Sequence, residues 1–333
     1  MPEALVEQGP GACRALVLDG DRLLEAHLER EDCGPLPGAQ HVARLVQVLV
    51  PGVRGIARLV CGTEVLLQPL PAMTEGGLLG LEIVRMALPE AGRPRLARAR
   101  PADMTVSGGL AQVVAAPSLE ARLRAAGHRV RRLRLHGGFD ALETAGWGEV
   151  LAEAETGHVR FADGLLTISL TPAMTVVDID GVLPPLALAE AACEPLAMAI
   201  ARHGLAGSIA VDFPTLRGEA RKVLDRALTA ALAAHLPPPF EVTGINGFGL
   251  VQIVRRHAHA GLMETVRMPG HAALELLRRA ARGTGPGTLV APPGLIAWLA
   301  GRPALVEAAV RARGGRLSLH AEAGLATSAA HVG

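Results

Sequence analysis

The sequence predicts a mixed α/β fold made of several small units, and three stretches carry that prediction. Residues 171 to 213 read as strand, helix, strand: two short apolar runs, each finishing in aspartate, flank an Ala/Leu-rich segment with helical spacing. Residues 40 to 85 break into short β-like runs separated by turns, the pattern of a small five-stranded barrel. Residues 271 to 331 read helix, strand, helix, strand, as in a small α/β unit.

Composition sets the outer limits. With 333 residues there is length for two or three cores, and 50% hydrophobic against 20% charged residues indicates a folded chain rather than a disordered one. The net charge of +1 neither requires nor excludes a nucleic-acid partner. Aromatics make up 2% of the chain and tyrosine is absent, so platforms for base stacking are scarce. Lys222 is the single lysine; arginine carries the rest of the positive charge, as base composition or phosphate contact would each explain. Cys13, Cys33, Cys61 and Cys193 have no CxxC spacing, so reduced thiols in a cytoplasmic protein are expected, without a zinc site or disulfide framework. The opening MPEALVEQGPG has neither basic nor apolar leader regions, and Glu190, Glu194 and Pro195 interrupt the longest apolar stretch, so no leader and no membrane span are expected.

Taken in order, residues 13 to 30 alternate around Asp19-Gly20-Asp21, a hairpin signal, and Gly34-Pro35-Leu36-Pro37-Gly38 breaks the chain. After the barrel-like runs come two arginine clusters: Arg93, Arg95, Arg98 and Arg100, then Arg122, Arg124, His128, Arg129, Arg131, Arg132, Arg134 and His136. Each reads as a solvated face or, beside a suitable site, as a polyanion contact. A helix is expected over 119 to 126, followed by a strand. Strands are expected at LLTISL and MTVVDI, with Pro195 kinking the crossover helix. Pro214 to Leu236 reads as an amphipathic helix capped by Thr215. Phe240 to Val251 returns to the sheet.

The chemistry concentrates at Asp178, Asp180 and Asp212. A strand–helix–strand crossover is right-handed, with parallel strands, and open α/β sheets bind ligands at strand carboxyl ends. Parallel strands are ordinarily buried on both faces, so carboxylates belong at their ends. If the strands are neighbours, about 4.8 Å apart, Asp178 and Asp212 share one hard cation, and Asp180 points to the same face as Asp178. The alternative is that these aspartates are helix caps or loop anchors.

TPAMTVVDIDG and GSIAVDF resemble the two segments of the ribonuclease E/G family that carry its metal aspartates, and FGLVQIVR resembles the family's following FGL…R segment. The resemblance implies an RNase H-like subdomain (11–33 plus 100–164) with an inserted OB-fold RNA-binding-like domain (34–99), a catalytic DNase I-like subdomain (165–266) and a small C-terminal domain (267–333). It implies a Mg²⁺-dependent endoribonuclease cutting single-stranded RNA (rRNA, tRNA precursor or mRNA) to 5′-phosphate and 3′-hydroxyl ends. Asp178 and Asp212 would hold Mg²⁺, Asp180 would orient a water, and Arg255 would neutralise charge at the scissile phosphate. The C-terminal domain is a candidate surface for a homo-oligomer.

The chain departs from the family pattern in several places. Ala57 and Leu66-Leu67 stand where the family has stacking aromatics, no room remains for the domain that senses the RNA 5′ end, and RHAHAGLMETVRM replaces the CPxC zinc link. In that stretch His257, His259 and Glu264 are metal-ligand types but read better as linker residues. Pro172 and Asp180 replace the usual Glu and Asn. The rival reading is a non-catalytic RNA-binding or ribosome-associated relative, against which stands the cost of burying two carboxylates without a metal. An unrelated nucleotide enzyme is disfavoured, because no GxxxxGK[ST] or GxGxxG follows a strand.

Overall fold

The computed structural model describes residues 1–89, 95–106, 108–135 and 139–333. Arg93 and His136 of the arginine clusters lie outside the described residues. The chain forms two compact units: 1–31, 123–156 and 265–333 make the first; 32–122 and 157–264 make the second.

In the first unit the expected hairpin is present as strands Ala12–Asp19 and Arg22–Arg30, turned at Gly20 with φ 61°. The sheet also contains a strand the sequence reading did not identify, Glu3–Gly9, which pairs antiparallel with Ala12–Asp19 and parallel with Arg129–Leu133. Arg129–Leu133 lies in the second arginine cluster, where Arg129 and Arg131 meet Glu3 at 2.9 and 3.6 Å. The expected C-terminal strands Gly287–Ala291 and Leu317–Ala321 pair parallel. The helix expected between them is two, Pro293–Ala300 and Pro303–Arg313, because Gly301 ends one and Pro303 starts the next.

A buried ion network ties this unit together. Arg14, 2% exposed, donates to Glu7 (1% exposed) at 2.9 Å and to Asp140 at 2.5 Å, with its guanidinium 5.2 Å from the buried Trp147 ring. Arg278 donates to the same Asp140 oxygen at 3.0 Å, and Arg282 forms an ion pair with it at 3.0 Å; Arg278 also reaches Glu275 at 2.7 Å, and Arg282 pairs with Glu7. The other Asp140 oxygen accepts from Leu142 and Glu143 N–H at 3.1 Å and caps a short helix. Burial pushes the Asp140 pKa up, but the Arg14 hydrogen bond and the Arg14 and Arg282 charges outweigh it and hold the carboxyl below its ordinary range.

The second unit contains a closed five-stranded β-barrel and a six-stranded sheet. The barrel strands are Gln40–Val50, Arg54–Arg58, Glu64–Leu67, Leu78–Arg85 and Ala97–Pro101, closed by pairing of the first two. The closing strand Ala97–Pro101 comes from the first arginine cluster. Ala97 and Ala99 face the core while Arg98 and Arg100 face out, so the alternation conceals a strand in a charge run. Ala57 and Leu67 are core residues; Leu66 lies on the outer surface, in register with Arg98. The barrel meets the sheet region through Met86 N–H to Ala258 carbonyl at 3.0 Å and Arg95 to Pro172 carbonyl at 2.9 Å.

The sheet order is His158–Phe161, Gly164–Leu170, Thr175–Gly181, Gly207–Asp212, Leu250–Arg255, Phe240–Val242. Thr175–Gly181 and Gly207–Asp212 pair parallel, with helix Pro185–Arg202 between them in sequence; the remaining pairings are antiparallel. The helix runs through Pro195 as one element. The next helix, Glu219–His235, starts later than expected, because Gly218 at φ 59° sets its beginning and Pro214–Arg217 stays a loop. Of the four free cysteines, Cys193 is buried, which pushes its thiol up to about 12. Among the described residues no helix is long and apolar enough to cross a membrane.

Candidate functional site: an acidic row on an open sheet face

The two aspartate strands are built by alternation. Val177, Ile179 and Val211 point to the buried face, over which helix Pro185–Arg202 packs, with helix Glu219–His235 beside it. Asp178, Asp180 and Asp212 point to the other face and are exposed. The expectation that both faces are covered is therefore corrected. Only this pair is parallel within a mixed sheet, helices cover one side, and the other is open. The carboxylates keep their hydration and no burial cost forces a metal onto them, so that argument against a non-catalytic relative is removed.

Register places the three acids. Asp178 and Asp212 are direct cross-strand partners, so their Cα atoms are roughly 4.8 Å apart and their side chains project together. Asp180 shares the face, about 6.6 Å further along its strand. The row through the pair runs His158, Thr167, Asp178, Asp212, Leu250; the row through Asp180 runs Arg160, Leu165, Asp180. None of the three carboxylates has a hydrogen-bond or ion-pair partner among the described residues.

A tight turn abuts the pair. Ile245 N–H donates to Asp225 at 2.8 Å, and the Asn246 side-chain oxygen accepts from Phe248 and Leu250 N–H at 2.8 and 3.1 Å. Gly249, at φ 96°, gives its carbonyl to Phe213 N–H at 3.1 Å. A Cβ at Gly249 would lie 2.4 Å from the Phe213 carbonyl oxygen and 3.5 Å from Asp212 Oδ1, so glycine is required for this approach.

Arg255 is not brought to the acids. It opposes Gly207, five positions from Leu250 along the strand, or about 17 Å from the Asp212 row. It follows Val251 and Ile253 onto the helix-covered face and donates to the Leu205 carbonyl at 2.7 Å, tying down the end of the crossover helix. His257 pairs with Glu264 at 2.9 Å, and Glu264 also accepts from Gly261 N–H at 2.8 Å; both bonds order the linker. No group of three or more His, Cys, Asp or Glu side chains able to hold a metal ion together occurs among the described residues. The acidic row thus offers a two-carboxylate site with Asp180 outlying, a donor set that fits Mg²⁺, which takes one or two carboxylates and keeps waters and phosphate oxygens.

No protein-family model matches the chain, and no curated protein matches it.

Proposed function

We propose that the chain is a Mg²⁺-dependent endoribonuclease of the ribonuclease E/G type, cutting single-stranded RNA to 5′-phosphate and 3′-hydroxyl ends. One observation carries the reading: Asp178 and Asp212 are cross-strand partners on an open face, with neither carboxylate engaged by another side chain among the described residues. In this reading residues 165–266, the greater part of the six-stranded sheet with its helices, are the DNase I-like catalytic subdomain, the barrel is the OB-fold, and the first unit holds most of the RNase H-like subdomain (11–33 plus 100–164) and the C-terminal part. Rather than serving as caps or loop anchors, Asp178 and Asp212 would hold the ion, which supplies charge neutralisation and polarisation of the phosphodiester. Asp180 would accept a hydrogen bond from the attacking water. Thr167 pairs with Asp178 across the sheet, and Ala210 lies two residues before Asp212 on its strand, so these two neighbours of the pair are small. Arg255 has no part in this scheme.

The test is incubation of the purified protein with a 5′-hydroxyl single-stranded RNA in Mg²⁺ or EDTA, alongside Asp178→Asn and Asp212→Asn. Internal cuts that need Mg²⁺ and vanish in both variants are expected. The exposed setting of the carboxylates favours one second reading, a non-catalytic RNA-binding relative, because hydrated carboxylates need no bound cation. Retained RNA binding with no cuts would establish that instead.

A further inference from the structure

We infer that Phe248 is the stacking platform for a nucleobase flanking the phosphodiester held at Asp178 and Asp212. The inference rests on the reading of that pair as the cleavage site. The second unit has four phenylalanines: Phe161 and Phe240 are half-buried, Phe213 is buried, and Phe248 is 83% exposed. Covering such a ring is favourable, and the fold leaves that gain unused.

Its position is fixed rather than frayed. Asn246 accepts the Phe248 and Leu250 N–H groups, and Asn246 N–H donates to the Leu250 carbonyl at 3.0 Å. Asp225 and the Phe213 N–H secure the two ends of the turn. Phe248 is therefore presented by a closed turn whose next residue, Gly249, lies so near the pair that a Cβ added there would sit 3.5 Å from Asp212 Oδ1. Phe248 lies two residues before Leu250, the cross-strand partner of Asp212, so a base stacked on it would adjoin a phosphodiester held at the pair. Stacking on an aromatic face is the sequence-tolerant way to hold a single strand. At the barrel positions considered for that task Leu66 faces out and Ala57 is buried, so neither offers a ring, and the sheet's own turn takes the task over.

The experiment measures binding apart from turnover. A 5′-hydroxyl single-stranded oligoribonucleotide carrying 2-aminopurine at one position, moved along the strand, is titrated with the full chain in Ca²⁺ in place of Mg²⁺. Quenching at one position is expected. Phe248→Ala should weaken binding about 5- to 150-fold and abolish the quench. Phe248→Leu should resemble it, and Phe248→Trp should bind like the wild type. An abasic residue at the quenched position should erase the difference between wild type and Phe248→Ala. Because the ring is exposed, the variants should melt with the parent, which separates binding from folding. Equal binding by wild type and Phe248→Ala overturns the inference, as does rescue by leucine, which would indicate an apolar contact with something other than a base. If the wild type shows no Mg²⁺-dependent cuts but keeps a Phe248-dependent quench, the nuclease reading falls and the platform stands.

Discussion

Two groups of carboxylates differ in nearly everything except charge. In the first unit Glu7 and Asp140 lie among Arg14, Arg278 and Arg282, and each carboxylate meets at least two guanidinium groups. In the second unit Asp178, Asp180 and Asp212 line up on an open face with no cation beside them among the described residues. The first arrangement is structural: buried charges persist only when paired and hydrogen-bonded. The second is stable because water screens it, two unit charges 4 Å apart repelling by only about 1 kcal/mol in water. A protein that spends arginines on one acidic cluster and none on another leaves the second available to a cation from solution.

The sharpest break between the two is catalytic. Asp178→Asn should lower Mg²⁺-dependent cleavage about a thousandfold or more while stability changes by no more than about 0.5 kcal/mol; cleavage at the parental rate would sink the site. Asp140→Asn should do the reverse, costing about 3–5 kcal/mol in denaturant unfolding, because three guanidinium groups lose their shared charge partner. Gly249→Ala falls between, since it strains the φ 96° turn and presses on the Phe213 carbonyl. A loss of about 1–3 kcal/mol and weaker Mg²⁺ dependence are expected from melting and cleavage assays.

Acid should act on both units. His41 is 4% exposed on barrel strand Gln40–Val50, neither ring nitrogen has a partner among the described residues, and burial lowers its pKa. His271 in the first unit is also lowered, by burial first and the Arg30 charge, against the pull of Glu275 and Glu155. A histidine with a lowered folded pKa binds protons more readily unfolded, so its stability contribution is full above about pH 6.5 and is lost as pH falls through that value. Asp140, also lowered, contributes above about pH 4 and loses its contribution as pH falls below that. Melting temperature should therefore decline in two steps on acidification. A His41→Leu variant should reduce the upper step, leaving the share of His271; an unchanged profile would refute it. The smallest effect is expected for Asp180→Asn, which removes one exposed charge and should leave stability within about 0.5 kcal/mol.

Much of the site was readable from the residues. Apolar runs ending in aspartate, separated by a helical segment, already required parallel strands, and the two-residue spacing put Asp178 and Asp180 on one face. The placement of Arg255 was also encoded, since Val251, Ile253 and Arg255 share parity along FGLVQIVR, but the resemblance drew attention to its charge rather than its face. The fifth barrel strand was hidden because alanines alternating with arginines look like a charge run.

By itself, then, the sequence determined most local elements, the parity of side chains along each strand and the parallel sense of the two aspartate strands, because these follow from backbone geometry and short connections; that the two strands are neighbours was settled by the sheet. Tertiary structure alone decided which face of the sheet stayed open, that Asp140 would gather arginines from distant parts of the chain, and that Phe248 would stand exposed beside Asp212. Those outcomes depend on long-range packing: a face is buried only when another element arrives to cover it, and no local pattern records which face that will be.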